Sequence, residues 1–83
     1  SLVNVGSSTS SVTLAAANSS RSSLIIANDS TSVLYIKYGS SAAASSYTYK
    51  LGAGDIFEMG KLYTGIVTGI WASVNNNAKV TEI

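Results

Sequence analysis

Clusters of turn-forming residues recur about every 8–12 positions in this chain, and the runs between them are short, β-branched and aromatic. That rhythm restricts the fold more than any other feature. No window carries an apolar stripe at helical spacing long enough to make a helix. Short strands separated by frequent turns must stack their apolar faces in two layers or close into a barrel.

The clearest strand is Val33-Leu34-Tyr35-Ile36-Lys37-Tyr38. Side chains alternate across a strand, so Leu34, Ile36 and Tyr38 share one face and Val33, Tyr35 and Lys37 the other. Lys37 marks the second face as the outer one. Further strands are expected at Val12–Ala17, Ser22–Ala27, Tyr47–Leu51, Ile56–Met59, Ile66–Val74 and Ala78–Ile83. The polar cluster Asn28-Asp29-Ser30-Thr31-Ser32 is a dense turn signal, because Asn and Asp side chains mimic backbone turns. Ser22–Ala27 and Val33–Tyr38, joined across it, read as a hairpin. Gly39–Ser46 reads as a loop. Gly52-Ala53-Gly54-Asp55 is a turn whose glycines permit positive φ. Gly69, inside an otherwise apolar run, marks a bulge or a close backbone approach. Trp71, in the most apolar segment, is expected in the core.

The expected fold is therefore all-β. It is one small antiparallel β-sandwich or jelly-roll-like barrel of about seven strands over residues 12–83, preceded by an extended N-terminal arm over residues 1–11. In the arm, Leu2, Val3 and Val5 are apolar and the other residues are Ser, Thr, Asn and Gly. Such a segment needs another surface to lie on.

The 83 residues amount to one domain. A core this small leaves little surplus stability, and small folds usually add a disulfide, a metal or a partner. There is no cysteine for a disulfide and no histidine, the commonest transition-metal ligand. Only 11% of the residues are charged, well below the roughly 25% usual in soluble domains, and the formal net charge is +1. Polar positions are filled by Ser, Thr and Asn instead. These features favour assembly with other protein. Arg21, Lys37, Lys50, Lys61 and Lys79 are scattered, which gives no nucleic-acid patch. No apolar stretch reaches the ~20 residues of a membrane-spanning helix, and the first residues lack the pattern of a secretory signal.

Several motifs resemble a known module. They are Arg21, Ser23, Leu24, Ile26 and Asn28; Tyr38-Gly39; Leu51, Ala53 and Gly54; Tyr63, Gly65, Val67, Gly69 and Ile70; and Val80 with Glu82. Together, from about Val12 to Ile83, they resemble a small β-sandwich module of tailed-bacteriophage and prophage virion proteins. The resemblance implies a non-enzymatic structural protein, made in the host bacterial cytoplasm and located in the virion, on the capsid exterior or at the neck. It implies that the partner is the major capsid protein or another virion protein, which the chain would cement or decorate. It also implies a homotrimer.

Chemistry-bearing constellations are sparse. With no His or Cys, a nucleophile would need a Lys or carboxylate base. Ser46 and Lys50 would lie about 13 Å apart along a strand. Asp55 and Glu58 would point to opposite faces. Asn28, Asp29, Ser30 and Ser32 offer one carboxylate in one turn, which suits a hydrogen-bonded turn better than a calcium loop. The sequence thus points to no enzyme, no cofactor and no metal. The candidate contact residues are Leu2, Val3 and Val5 of the arm, together with Tyr35, Tyr47, Tyr49 and Tyr63. The tyrosines also define the alternative, a carbohydrate-binding or host-adhesion module of a fibre or neck that stacks sugars on aromatic rings. The simpler reading leaves them half-buried in strands with their hydroxyls in water.

Overall fold

A computed structural model describes residues 1–83 and contains eight strands and no helix. They are β1 (Leu2–Gly6), β2 (Val12–Ala15), β3 (Leu24–Asp29), β4 (Leu34–Tyr38), β5 (Tyr49–Leu51), β6 (Ile56–Glu58), β7 (Val67–Trp71) and β8 (Asn77–Glu82). Two four-stranded antiparallel sheets face each other, one in the order β1-β8-β3-β6 and the other β2-β7-β4-β5. Except for the β4–β5 hairpin, every connection between consecutive strands changes sheet. Eight strands wound in this order form a jelly roll.

Two expectations are corrected here. The segment 1–11 is not a separate arm, because Leu2–Gly6 pairs in register with β8 from Leu2↔Thr81 to Gly6↔Asn77. The surface it needs is supplied by its own domain, and this adds the eighth strand. Nor do the runs on either side of Asn28–Ser32 form a hairpin. They lie in opposite sheets as β3 and β4, and the polar cluster carries the chain over the end of the sandwich. A hairpin would have left Asn28, Ser30 and Ser32 in solvent, whereas all three are buried.

Alternation operates as the sequence predicts. Leu34 and Ile36 are fully buried, Tyr38 packs against the core, and Tyr35 and Lys37 lie on the outer face. They meet Leu24, Ile26, Phe57, Val67, Val80 and Trp71 in one continuous core. Trp71 is only 2% exposed. Gly69 makes the close approach and sits outside the bulge, which belongs to β2. It pairs with Val12 beside the register shift between Thr13 and Ala15. A Cβ there would also sit 2.7 Å from Leu14 Cδ1 and 3.1 Å from Leu34 Cδ1. Gly54 adopts φ +77° in the Gly52–Asp55 turn, which Asp55 closes by accepting from Gly52 N at 2.8 Å. The Gly39–Ser46 segment is a loop, as expected, but it is also tied down. Thr68 Oγ1 donates to Gly39 O at 2.6 Å, Ala42 N to Ser11 Oγ at 3.0 Å, and Lys37 Nζ to Ser46 Oγ at 2.8 Å. Ala42 and Thr68 are thereby buried.

Candidate functional surfaces

Two polar side chains close the ends of the sandwich, a role the sequence pattern assigns to neither. At one end Arg21, just before β3, has a fully buried side chain. Its Nε donates to Glu82 Oε2 at 2.7 Å, Nη1 to Tyr63 O at 2.7 Å and Gly65 O at 3.1 Å, and Nη2 to Ala16 O at 2.7 Å. One guanidinium therefore ties together the β2–β3 loop, the β6–β7 loop and the end of β8. Its hydrogen bond holds the Glu82 carboxyl below its ordinary pKa. At the opposite end Asn28, 1% exposed, shares its Nδ2 hydrogens among Ser32 O, Leu51 O and Gly52 O. Its Oδ1 accepts from Ser30 Oγ at 2.7 Å and Trp71 Nε1 at 3.2 Å. The available signal was the isolation of Arg21 among serines: a lone Arg with no charged neighbour in sequence has to find its partner through the fold.

The seven candidate contact residues do not form one surface. β1 is an edge strand. Val5 packs against the core, so Val3 shares its side, while Leu2, Asn4 and Gly6 face outward. Leu2 is 64% exposed and Val3 53%. On the other sheet Tyr35 and Tyr47 approach at 5.0 Å between ring centroids, tilted by 54°, with Lys50 Nζ 5.9 Å from the Tyr35 ring. Tyr49 and Tyr63 belong to a third group. Tyr63 stacks face to face on Tyr38 at 4.5 Å, and Tyr49 packs on Phe57 at 4.6 Å and Tyr38 at 5.8 Å. Burial, with Tyr49 adding to it, raises the Tyr38 phenol above its ordinary pKa. Tyr63 also donates its hydroxyl to Ile66 O at 3.1 Å. Val5 and Tyr63 thus serve the protein's own core.

The residues weighed for catalysis or metal binding have other partners. Ser46 accepts from Lys37, and Lys50 lies over Tyr35. Asp55 closes a turn, and Glu58 is exposed beside Ile25. Of the Asn28–Ser32 oxygens, the Asn28 amide and the Ser30 and Ser32 hydroxyls turn inward to bond one another and the backbone, while Asp29 points outward, 3.9 Å from Lys79 Nζ.

The four sheet edges differ. β2 is interrupted by its bulge. β5 and β6 are three residues each, and carry Lys50 and Glu58 respectively. Bulges, shortness and charge are the usual means of discouraging edge-to-edge pairing. β1 has none of them: it is five residues long, regular in register, and lies in a segment without a charged side chain from Leu2 to Ser20.

The fold and these surfaces define a class, a compact eight-stranded jelly roll with one unguarded edge. No family model, curated protein or solved structure matches the chain.

Proposed function

We propose that this protein is a non-enzymatic structural component of a virion, which binds and stabilises or decorates a phage capsid through protein–protein contacts. The observation that carries the reading is the uncharged, regular β1 edge with Leu2 and Val3 exposed beside it. A strand of this kind gives main-chain hydrogen bonds and apolar burial to an incoming partner. Jelly rolls recur in capsid proteins, although a fold does not by itself carry a function. The sequence resemblance supports the same reading and implies three copies, whereas the edge geometry favours a two-fold contact. Particles purified from the host that encodes this gene provide the test. The chain should co-purify with them at a fixed ratio to the capsid protein, and particles lacking it should lose their DNA at lower temperature. Particles that never contain the chain would refute the reading.

A second reading is favoured by the Tyr35–Tyr47 pair with Lys50. These rings lie on an outer face, and Tyr47 is 44% exposed. A sugar could stack there, the amine helping to hold its hydroxyls. Binding on a glycan array that Tyr47→Ala abolishes would establish this; a blank array would remove it.

A further inference from the structure

β1 presents a pattern that is complementary to itself. In an antiparallel ladder, residues alternate between those that bond the neighbouring strand and those whose N–H and C=O face away. Ser1 exchanges both of its backbone bonds with Glu82, and Ser7 N donates to Asn76 O at 3.0 Å. With the continuous register between them, Val3 and Val5 are the residues bonded to β8. Leu2, Asn4 and Gly6 therefore direct their N–H and C=O groups away from the sheet.

We propose that β1 pairs with β1 of a second copy of this chain, antiparallel, about a two-fold axis through Asn4. This register sets Asn4 opposite Asn4, Leu2 opposite Gly6, and Val3 opposite Val5. Each outward N–H then meets an outward C=O, joining the two four-stranded sheets into one. On the inner side, Val3 gains an apolar neighbour for the side chain that is 53% exposed in the single copy. On the outer side, Leu2 lies over Gly6, where the space a Cβ would enter is empty within 4 Å. The two Asn4 amides meet at the axis; each Oδ1 already accepts from Lys79 Nζ at 3.3 Å and keeps a second lone pair for the other copy's Nδ2. No charged side chain lies in the segment itself, and the nearest cation, the same Lys79 Nζ, is open to water, which screens it from its symmetry mate. Because the contact is isologous it closes at two copies. A segment of another protein could satisfy the same backbone groups; the matching of Leu2 to Gly6 and of Val3 to Val5 is what favours a second copy.

The inference uses the same β1 edge as the virion reading but does not need that reading to hold. Particles without the chain would sink that reading and leave this pairing standing. Absence of the dimer would sink this one alone.

The chain has no cysteine, so single cysteines can report the register. Residues in a hydrogen-bonded cross-strand pair have Cα atoms about 5.5 Å apart, within disulfide reach. Asn4→Cys should form a disulfide-linked dimer in mild oxidant. Leu2→Cys and Gly6→Cys should each remain largely uncrosslinked alone and link to one another when mixed. Sedimentation of the unmodified protein should show a concentration-dependent dimer. Asn4→Pro removes an N–H that faces away from β8, so it should weaken dimerisation about tenfold or more while leaving the unfolding midpoint within error. Val3→Pro removes an N–H bonded to β8 and should lower that midpoint. A protein that stays monomeric at high micromolar concentration overturns the proposal. So does a trimer, or a dimer that survives Asn4→Pro with Asn4→Cys uncrosslinked.

Discussion

At one end of the sandwich a single guanidinium, that of Arg21, gathers two loops and the Glu82 carboxylate. At the other, the neutral amide of Asn28 is joined by Trp71 Nε1 and two serines to do comparable work. Both ends face the same problem, since crossing between sheets leaves backbone carbonyls near the core with no strand to pair with. The Arg21 end solves it with charge, and it is also the end where Tyr38 and Tyr63 stack. The Asn28 end uses only neutral groups. The two solutions satisfy similar numbers of carbonyls, but only the charged one is sensitive to pH, and only it leaves a buried or half-buried ion behind when broken.

Arg21→Ala should have the largest effect. It strips Glu82 of its partner and leaves the carbonyls of Ala16, Tyr63 and Gly65 unbonded, at a cost of about 4 kcal/mol that comes mainly from the three carbonyls, since Glu82 keeps access to water. Urea unfolding measures it, and a change below about 1 kcal/mol would show that water replaces the guanidinium freely. Arg21→Lys should recover only part of the loss, because an ammonium lacks the planar fork. Asn28→Ala comes next, at about 3 kcal/mol, since Trp71 Nε1 and several carbonyls lose partners in a dry site. Its shift in urea midpoint should be the same at pH 7 and pH 4. Gly69→Ala, between the two ends, should cost about 2 kcal/mol through overpacking against Leu14 and Leu34. Second-site Leu14→Ala should relieve part of that loss, and failure of this rescue would place the strain elsewhere.

The smallest effect is expected at Glu82. The Arg21 hydrogen bond lowers the folded-state pKa of Glu82 below its ordinary value of 4.5. A carboxyl so depressed stabilises the fold fully above that value, and the contribution is lost as pH falls through its folded pKa. Glu82→Gln should therefore flatten part of the acid limb of a stability–pH curve. Asn28→Ala should lower the whole curve without changing that limb. A Glu82→Gln protein with an unchanged acid limb would mean that the ion pair adds nothing beyond a neutral hydrogen bond.

Much of this architecture was readable along the chain. Val33–Tyr38 announced its inner and outer faces, Trp71 its burial and Gly69 its close approach, because period-two alternation and steric room are local properties. The Asn28–Ser32 cluster announced a change of direction, but a reversal within a sheet and a crossing between sheets begin with the same residues. Which one forms depends on whether Asn28, Ser30 and Ser32 find partners in the core, and those partners, Leu51, Gly52 and Trp71, lie far off in sequence. The same holds for Arg21, whose bonds reach residues up to 61 positions away. Of the candidate contact residues, Leu2, Val3, Tyr47 and Tyr49 are exposed, Tyr35 lies at an outer face, and Val5 and Tyr63 turned out to support the core. No alternation rule distinguishes these cases, because all are apolar or amphipathic residues in extended chain.

From the order of its residues alone this chain is committed to short extended segments, frequent turns, apolar faces on alternate positions and a surface poor in charge. These follow from steric preference and side-chain chemistry acting over a few residues. The choice of partner for each strand was made in three dimensions. So were the placement of Leu2–Gly6 on β8, the crossing from β3 to β4, and the burial of Arg21 and Asn28. They follow from which hydrogen-bonding groups can be satisfied together once the two sheets close on one core, and closure brings together residues that the sequence keeps apart.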